Sequence, residues 1–212
     1  MRIGFFLNGA AASGYTLARH FVAGARAVMP GVDVCQLTDL ESPALEGVTV
    51  LRRPAQPSFT ATLADAYAQP GEWLFADTDV VLQRSVADIV ADDWWQVAVA
   101  SRSGTYVDLA EETSVFMAAM PFNTGAVFSR CPAFWEECRQ RILALPALHQ
   151  PWYGMQLVVG AMALEGRYRV RILPSEYNYP PRTQTDDVSA KALVHYKGPR
   201  KGWLLERYGV PA

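Results

Sequence analysis

The chain has no excess of positive charge. Its 19 Lys and Arg are balanced by 21 Asp and Glu, for a formal net charge of −2, so it lacks the electrostatic footprint of a nucleic-acid binder. Only a local basic cluster, Lys191, Lys197, Arg200, Lys201 and Arg207, stands near the end. Cysteine is scarce. Cys35, Cys131 and Cys138 are odd in number and have no metal-ligand spacing, which argues against a disulfide framework and a structural zinc site. Reduced thiols in a cytoplasmic protein are the expectation. No apolar run reaches the roughly 20 residues of a membrane span, and the opening Met1-Arg2-Ile3-Gly4-Phe5-Phe6-Leu7-Asn8-Gly9 turns polar too soon for a secretory signal. There is no internal repeat and no low-complexity linker. The 212 residues, 50% hydrophobic and 19% charged, suit one domain, 1–212, with a sizeable core.

Strand-like and helix-like segments alternate. Residues 2–7 read as a first strand, followed by small residues and a helix over 15–29 that Ser13 can cap and that Pro30-Gly31 ends. Strands follow at 32–37 and 48–51, a helix at 59–67, and a break at Pro70-Gly71. Further on come a short helix at 85–90, strands at 94–100 and 124–129, and a helix from Pro132, a residue tolerated in a first turn. A helix at 153–164 and a strand at 168–172 complete the pattern, and the remainder is irregular and aromatic-rich. This alternation predicts an α/β fold with a largely parallel central sheet flanked by helices.

Two motifs carry chemistry. The apolar run Trp73-Leu74-Phe75-Ala76 leads directly into Asp77-Thr78-Asp79. Two carboxylates one residue apart at the end of a buried strand repel each other and are disfavoured as charges by desolvation. A divalent cation resolves that conflict and keeps coordination positions for phosphate oxygens. The end of a strand in an open α/β sheet is also where ligands bind. Asp-x-Asp alone is more often a turn or cap, but a second motif, His195-Tyr196-Lys197-Gly198-Pro199-Arg200-Lys201-Gly202-Trp203, adds the missing groups. His195 supplies an imidazole, Gly198 a permissive backbone, Lys201 a point charge for phosphate, and Trp203 an anchor for the tail.

With these residues in order, the chain resembles the GT-A fold glycosyltransferases of family 8, the group of glycogenin and the bacterial lipopolysaccharide galactosyl- and glucosyltransferases. The family's His-x-x-Gly-x-x-Lys-Pro-Trp is met by His195, Gly198, Lys201 and Trp203, with Gly202 in place of Pro. Its Phe-Asn-x-Gly element is met by Phe122-Asn123-Thr124-Gly125, and its Asn-Tyr element by Asn178-Tyr179. The resemblance implies a single Rossmann-like domain that moves a hexose from a nucleoside diphosphate sugar, UDP by family, to a glycan, lipid-linked or other hydroxyl, with retention. It implies Mn²⁺ or Mg²⁺ held by Asp77, Asp79 and His195, a diphosphate held by Lys201 and the Gly198 backbone, and a base and ribose lined by Phe6, Leu7 and Asn8. Thr78, Asn123 and Gly125 would then stand near the donor, and Gln156 would be the catalytic amide beside Asp79 and Lys201.

Two departures bear on the donor sugar. Met155 stands where the family carries an acid before Gln156, and the helix at 59–67 has no basic residue, leaving Arg52 or Arg53 to substitute. Residues 106–120 are a candidate lid, and Trp152, Tyr153, Tyr177 and Tyr179 are candidate platforms for a sugar face, although core packing explains such aromatics equally well. Three other functions remain open. They are transfer to a nucleic-acid base, a nucleotidyltransferase whose glycine-rich loop would be Asn8 to Gly14 without its usual Lys or Arg, and a non-catalytic nucleotide-sugar-binding module.

Overall fold

Residues buried on both faces of a parallel sheet have no polar side to present, which is why residues 73–76 and 97–100 are short continuous apolar runs. The computed structural model describes residues 1–9, 11–102, 120–151 and 153–209. In chain order its strands are β1 (Arg2–Phe6), β2 (Asp33–Thr38), β3 (Thr49–Arg52), β4 (Trp73–Ala76), β5 (Val80–Leu82), β6 (Val97–Ser101), β7 (Phe122–Ser129), β8 (Val170–Leu173) and β9 (Leu193–His195). Its helices are α1 (Ala12–Val28), α2 (Phe59–Tyr67), α3 (Ala87–Val90), α4 (Pro132–Ala144), α5 (Gly154–Glu165) and α6 (Lys201–Arg207).

Seven strands form one sheet in the order β3-β2-β1-β4-β7-β6-β8. Only β7 runs against the rest, antiparallel to both β4 and β6, while β1, β2, β3, β4 and the β6–β8 pair are parallel. The α/β, mostly parallel expectation is therefore met. From β1 the chain winds outward through β2 to β3, then returns to lay β4 on the other side of β1. The gap between β1 and β4 is thus the point where strand order reverses, the position at which doubly wound sheets bind ligands. Asn8 follows β1 there, and Asp77 follows β4.

β4 is buried along its whole length. Leu74 and Ala76 face the core layer formed with α1, while Trp73 and Phe75 face the layer formed with α2, α4 and α5. On that second face Tyr67 stacks on Phe75 with centroids 4.2 Å apart, Trp73 stacks on Phe75 at 5.2 Å, and Trp135 meets Tyr67 edge-on. Each such pair adds about 0.5–1.5 kcal/mol beyond its buried area, so the strand that delivers Asp77 is held on both sides.

The local differences from the sequence reading have physical causes. α1 starts at Ala12, with Ala11 at the cap and no side-chain cap bond, so Ser13 lies inside the first turn and does not cap it. α2 spans the predicted 59–67 and is capped by Ser58, whose Oγ accepts from Ala61 N at 3.2 Å. The stretch after residue 172, read as irregular, contains β9 and α6. β9 pairs antiparallel with β5 in a separate two-stranded sheet, Val80 opposite His195. Three-residue strands carry little periodicity, and their pairing partners lie at opposite ends of the sequence. The candidate lid 106–120 lies outside the described residues except for Met120. No described helix is long and apolar enough to cross a membrane.

Candidate active site

The Asp-x-Asp segment leaves the main sheet and enters the small one. Asp77 N donates to Gly125 O at 2.8 Å, extending the β4–β7 ladder by one bond, and Val80 N donates to Asp77 O at 3.0 Å, closing a turn. The chain then forms β5. Asp79 O accepts from Tyr196 N at 2.9 Å, and His195 N donates to Tyr179 O at 2.8 Å. The β5–β9 sheet is therefore the device that carries His195, from the far end of the chain, onto the two aspartates.

The ligand atoms of Asp77, Asp79 and His195 lie within 4.8 Å of one another. His195 Nε2 is 3.5 Å from Asp77 Oδ2 and 3.2 Å from Asp79 Oδ1, and Lys201 Nζ is 3.2 Å from Asp79 Oδ2. The imidazole orientation follows from its other nitrogen. His195 Nδ1 lies 3.0 Å from Asn178 Oδ1, and Asn178 Nδ2 donates to Asn123 O at 2.7 Å. A main-chain carbonyl only accepts, so the Asn178 nitrogen must face Asn123 and its oxygen must face the imidazole. Nδ1 then carries the proton, and the Nε2 lone pair points at two carboxylates. Asp79 Oδ1 is buried and accepts no hydrogen bond of good geometry despite that 3.2 Å approach. Three electron-rich atoms facing one another around an orphaned buried oxygen form a donor set that fits a divalent cation.

The two aspartates sit in opposite electrostatic situations. Asp77 is pushed up to about 7, first by loss of hydration and then by the Asp79 charge. Its side chain is 42% open to the cleft, so a cation can reach it. Asp79 is held down at about 2. Burial alone would raise it, but the positive charge around it, with Lys201 Nζ 3.2 Å from Oδ2, outweighs that penalty. A metal must displace the proton that Asp77 retains. Mn²⁺ affinity is therefore expected to fall about tenfold as pH drops from about 8 to about 6, with net proton release on binding. Calorimetry in buffers of different ionisation enthalpy measures both, and a flat affinity across that window would remove Asp77 from the ligand set.

Gly125 explains its place in the sequence only here. A Cβ at this position would run into the His195 ring, so the imidazole rests on bare backbone. Asn123 Oδ1 accepts from Gly125 N at 3.0 Å, and Asn123 O braces Asn178. Asn123 thus supports His195, a contact that the sequence did not suggest. Gly198 adopts φ +62°, the left-handed region open to glycine, and turns the chain after β9 so that Lys201 begins α6 beside Asp79. Buried Leu204 and Tyr196, with Leu17 of α1, pin that helix, and Trp203 packs against the same cluster.

The remaining predicted residues divide. Asn8 is exposed at the β1 end, its Oδ1 accepting from Asp39 N at 2.8 Å. Phe6 is half-buried with its ring edge-on to exposed Phe59. Leu7 is a core residue. Its side chain is buried, its N donates to Leu37 O and its O accepts from Thr38 Oγ1. Met155 likewise packs into the core beneath α5, so its side chain does not occupy a sugar-binding position. Thr78 is half-buried in the turn. Arg52 donates to Asp39 O, and Arg53 lies 4.0 Å from Asp65, at the outer ends of β2 and β3. Gln156 stands in the first turn of α5 and is bonded to Arg102, a residue the sequence reading did not single out. Trp152 lies outside the described residues, and Tyr177 is buried, its hydroxyl donating to Asp88.

No protein-family model matches the chain, and no curated protein sequence matches it. Solved structures do. Over the whole chain it superposes on the galactosyltransferase LgtC in complex with donor and acceptor sugar analogs, with TM-score 0.59, 13% identity and 97% of that protein covered. It does so on a glycosyltransferase involved in glycosylation of the major capsid of PBCV-1, with TM-score 0.60, 13% identity and full coverage of both chains. The glycosyltransferase GlyE of Streptococcus pneumoniae TIGR4 matches with TM-score 0.63 and 13% identity, over 61% of its length. The chain has the GT-A glycosyltransferase fold. Within the GT-A frame, the β1–β4 crevice and the Asp77-Asp79-His195 cluster occupy the same end of the sheet.

The Asn178 contact carries its own expectation. Asn178→Leu removes the group that orients the imidazole and is expected to weaken Mn²⁺ binding about 10- to 100-fold, the range for lost outer-shell partners. Unchanged Mn²⁺ affinity in a folded Asn178→Leu protein would show that the contact does not orient a ligand.

Proposed function

We propose that the protein is a metal-dependent glycosyltransferase that moves a hexose from a nucleoside diphosphate sugar, a UDP-sugar first among candidates, to an acceptor hydroxyl with retention of configuration. The observation that carries this reading is the convergence of Asp77, Asp79 and the His195 Nε2 lone pair, with Lys201 alongside, at the strand-order reversal of a GT-A sheet. Asp77, Asp79 and His195 would hold Mn²⁺ or Mg²⁺. When bound, that cation supplies positive charge against the diphosphate.

The chain's own residues do the rest. Lys201 and the Gly198 backbone bind the diphosphate, Asn8 and Phe6 border the base and ribose, Thr78 sits at the turn beneath them, and Gln156 reaches the sugar. The bond from the anomeric carbon to the diphosphate breaks with its electron pair on the departing oxygen. The acceptor oxygen bonds to the same face, and its proton passes to that phosphate oxygen. Pre-placed charge such as Lys201 is worth about 3 kcal/mol per group in comparable sites.

Specific observations weigh against the competing readings. In the loop after β1, Gly9 N is already bonded to Ser42 Oγ at 2.7 Å, which does not favour the open phosphate cradle of a nucleotidyltransferase. Three of the basic residues near the C-terminus already have partners within the chain. Arg207 bonds Tyr196 and Asp186, Lys191 lies over Tyr179, and Lys201 meets Asp79, which does not favour a nucleic-acid face. Salt-sensitive DNA retention would revive the latter.

The deciding experiment incubates the protein with UDP-, GDP- and TDP-sugars, with Mn²⁺ or chelator, and measures released nucleotide. Metal-dependent release from one donor is expected. No release from any, with no metal-dependent nucleotide binding, would overturn the reading.

A further inference from the structure

Arg102 follows β6, where Ala100 lies opposite Asn123 and Arg102 N donates to Pro121 O at 2.9 Å. It is therefore next to the strand that braces His195. Its Nη2 donates to Gln156 Oε1 at 2.5 Å, in a half-buried setting. A guanidinium has donors only, so the end of the Gln156 amide that faces it must be the oxygen. No described residue bonds the amide nitrogen.

A carboxamide has two faces for a sugar, a nucleophilic oxygen and a pair of N–H donors, and the partner of one decides which the ligand meets. A cation on the oxygen draws electron density out of the carbonyl. That weakens the oxygen as a nucleophile and strengthens the N–H groups as donors. We propose that Arg102 is a positioning residue that holds Gln156 by its oxygen, so that the amide meets the donor sugar as a hydrogen-bond donor and not as a nucleophile. This rests on the transferase reading above. It adds to that reading the chemical role of Gln156 and the residue that assigns it. Arg102 adjoins the segment 103–119, so it was visible in the sequence only as one arginine in a polar stretch.

The test measures steady-state cleavage and transfer of UDP-glucose and UDP-galactose with Mn²⁺ for the full chain and its variants. Arg102→Ala is expected to lower kcat about 10- to 100-fold, the span of one hydrogen bond to a charged group, with KM for the donor within about threefold. Arg102→Lys, which still offers a donor to the oxygen, recovers part of the loss. Arg102→Ala added to Gln156→Ala costs nothing further, because the two act as a unit. Gln156→Glu keeps the pairing with Arg102 but has no N–H to give, and its kcat falls without any covalent sugar adduct by mass spectrometry.

A rise in KM at constant kcat would mean that Arg102 holds substrate directly and would overturn the proposal. So would full additivity of the two alanine variants, or a trapped glycosyl adduct on residue 156. Wild-type protein that cleaves neither sugar nor any other of the donor panel would sink the transferase reading instead, and this inference with it.

Discussion

Asp79→Asn is expected to reduce metal-dependent cleavage of the donor by roughly a thousandfold or more, the upper range for loss of one charge-stabilising group, while leaving the protein folded. Asp79 is the hub of the site. One oxygen faces His195 Nε2, the other receives Lys201, and its main-chain oxygen ties β4's exit to Tyr196. The asparagine keeps the shape and the backbone bond but loses the charge that gathers the cation and the lysine. The pH behaviour separates this from misfolding. Because Asp79 titrates at about 2, below its ordinary value, its ionised form stabilises the fold. That contribution is complete above the unfolded carboxylate value of about 4 and is lost as pH falls towards about 2. Asp79→Asn should therefore flatten the acid limb of stability between about pH 4 and about pH 2. Thermal melts across that window, read beside donor cleavage at neutral pH, check both. Retention of cleavage within about tenfold of wild type would show that Asp79 does not hold the diphosphate's cation.

Gly125→Ala should have the second largest effect, and it is invisible to any reading of side-chain chemistry. The substitution adds one methyl group in a buried strand and removes no polar atom. That methyl would occupy the volume of the His195 imidazole, and since β7 is central and hydrogen-bonded on both sides, the ring is the part that yields. Displacing it breaks the Asn178 contact and turns Nε2 away from both aspartates. Mn²⁺ affinity is expected to fall about 10- to 100-fold, and donor cleavage with it. The same change in a His195→Ala background, where the space is vacant, should cost nothing more. Titration calorimetry of the four proteins measures the coupling. Equal losses in both backgrounds would trace the effect to β7 itself.

The Gly125 and Arg102 contacts mark where reading the sequence stopped. A position's side chain says what chemistry it can offer, but a glycine offers none. Its meaning lies in which atom approaches it, and that atom belongs to His195, brought in by another strand. Leu7 and Met155 show the converse. Leu7 was read as lining the base and ribose pocket and Met155 as standing where the family carries an acid, yet their parity on β1's extension and on α5 turns both to the core. Alternation along a strand and the phase of a helix are legible only once the element's ends and its packing face are known.

What the sequence determined by itself was the sheet and its chemistry. The apolar run of β4 fitted a short strand buried on both faces. Two carboxylates at its end required a counter-charge, and His195, Gly198 and Lys201 were the residue types to provide one. These are local properties, set by hydrophobicity, charge repulsion and backbone freedom within a few residues. The tertiary structure decided what depends on distance. The pairing of β5 with β9 set His195 on the aspartates, the Asn123–Asn178 relay aimed its lone pair, the bare backbone at Gly125 gave the ring its space, and Arg102 took the oxygen of Gln156. Each is a contact between segments far apart in the chain, and hydrogen bonds of that kind leave no periodicity or composition in either segment from which to infer them.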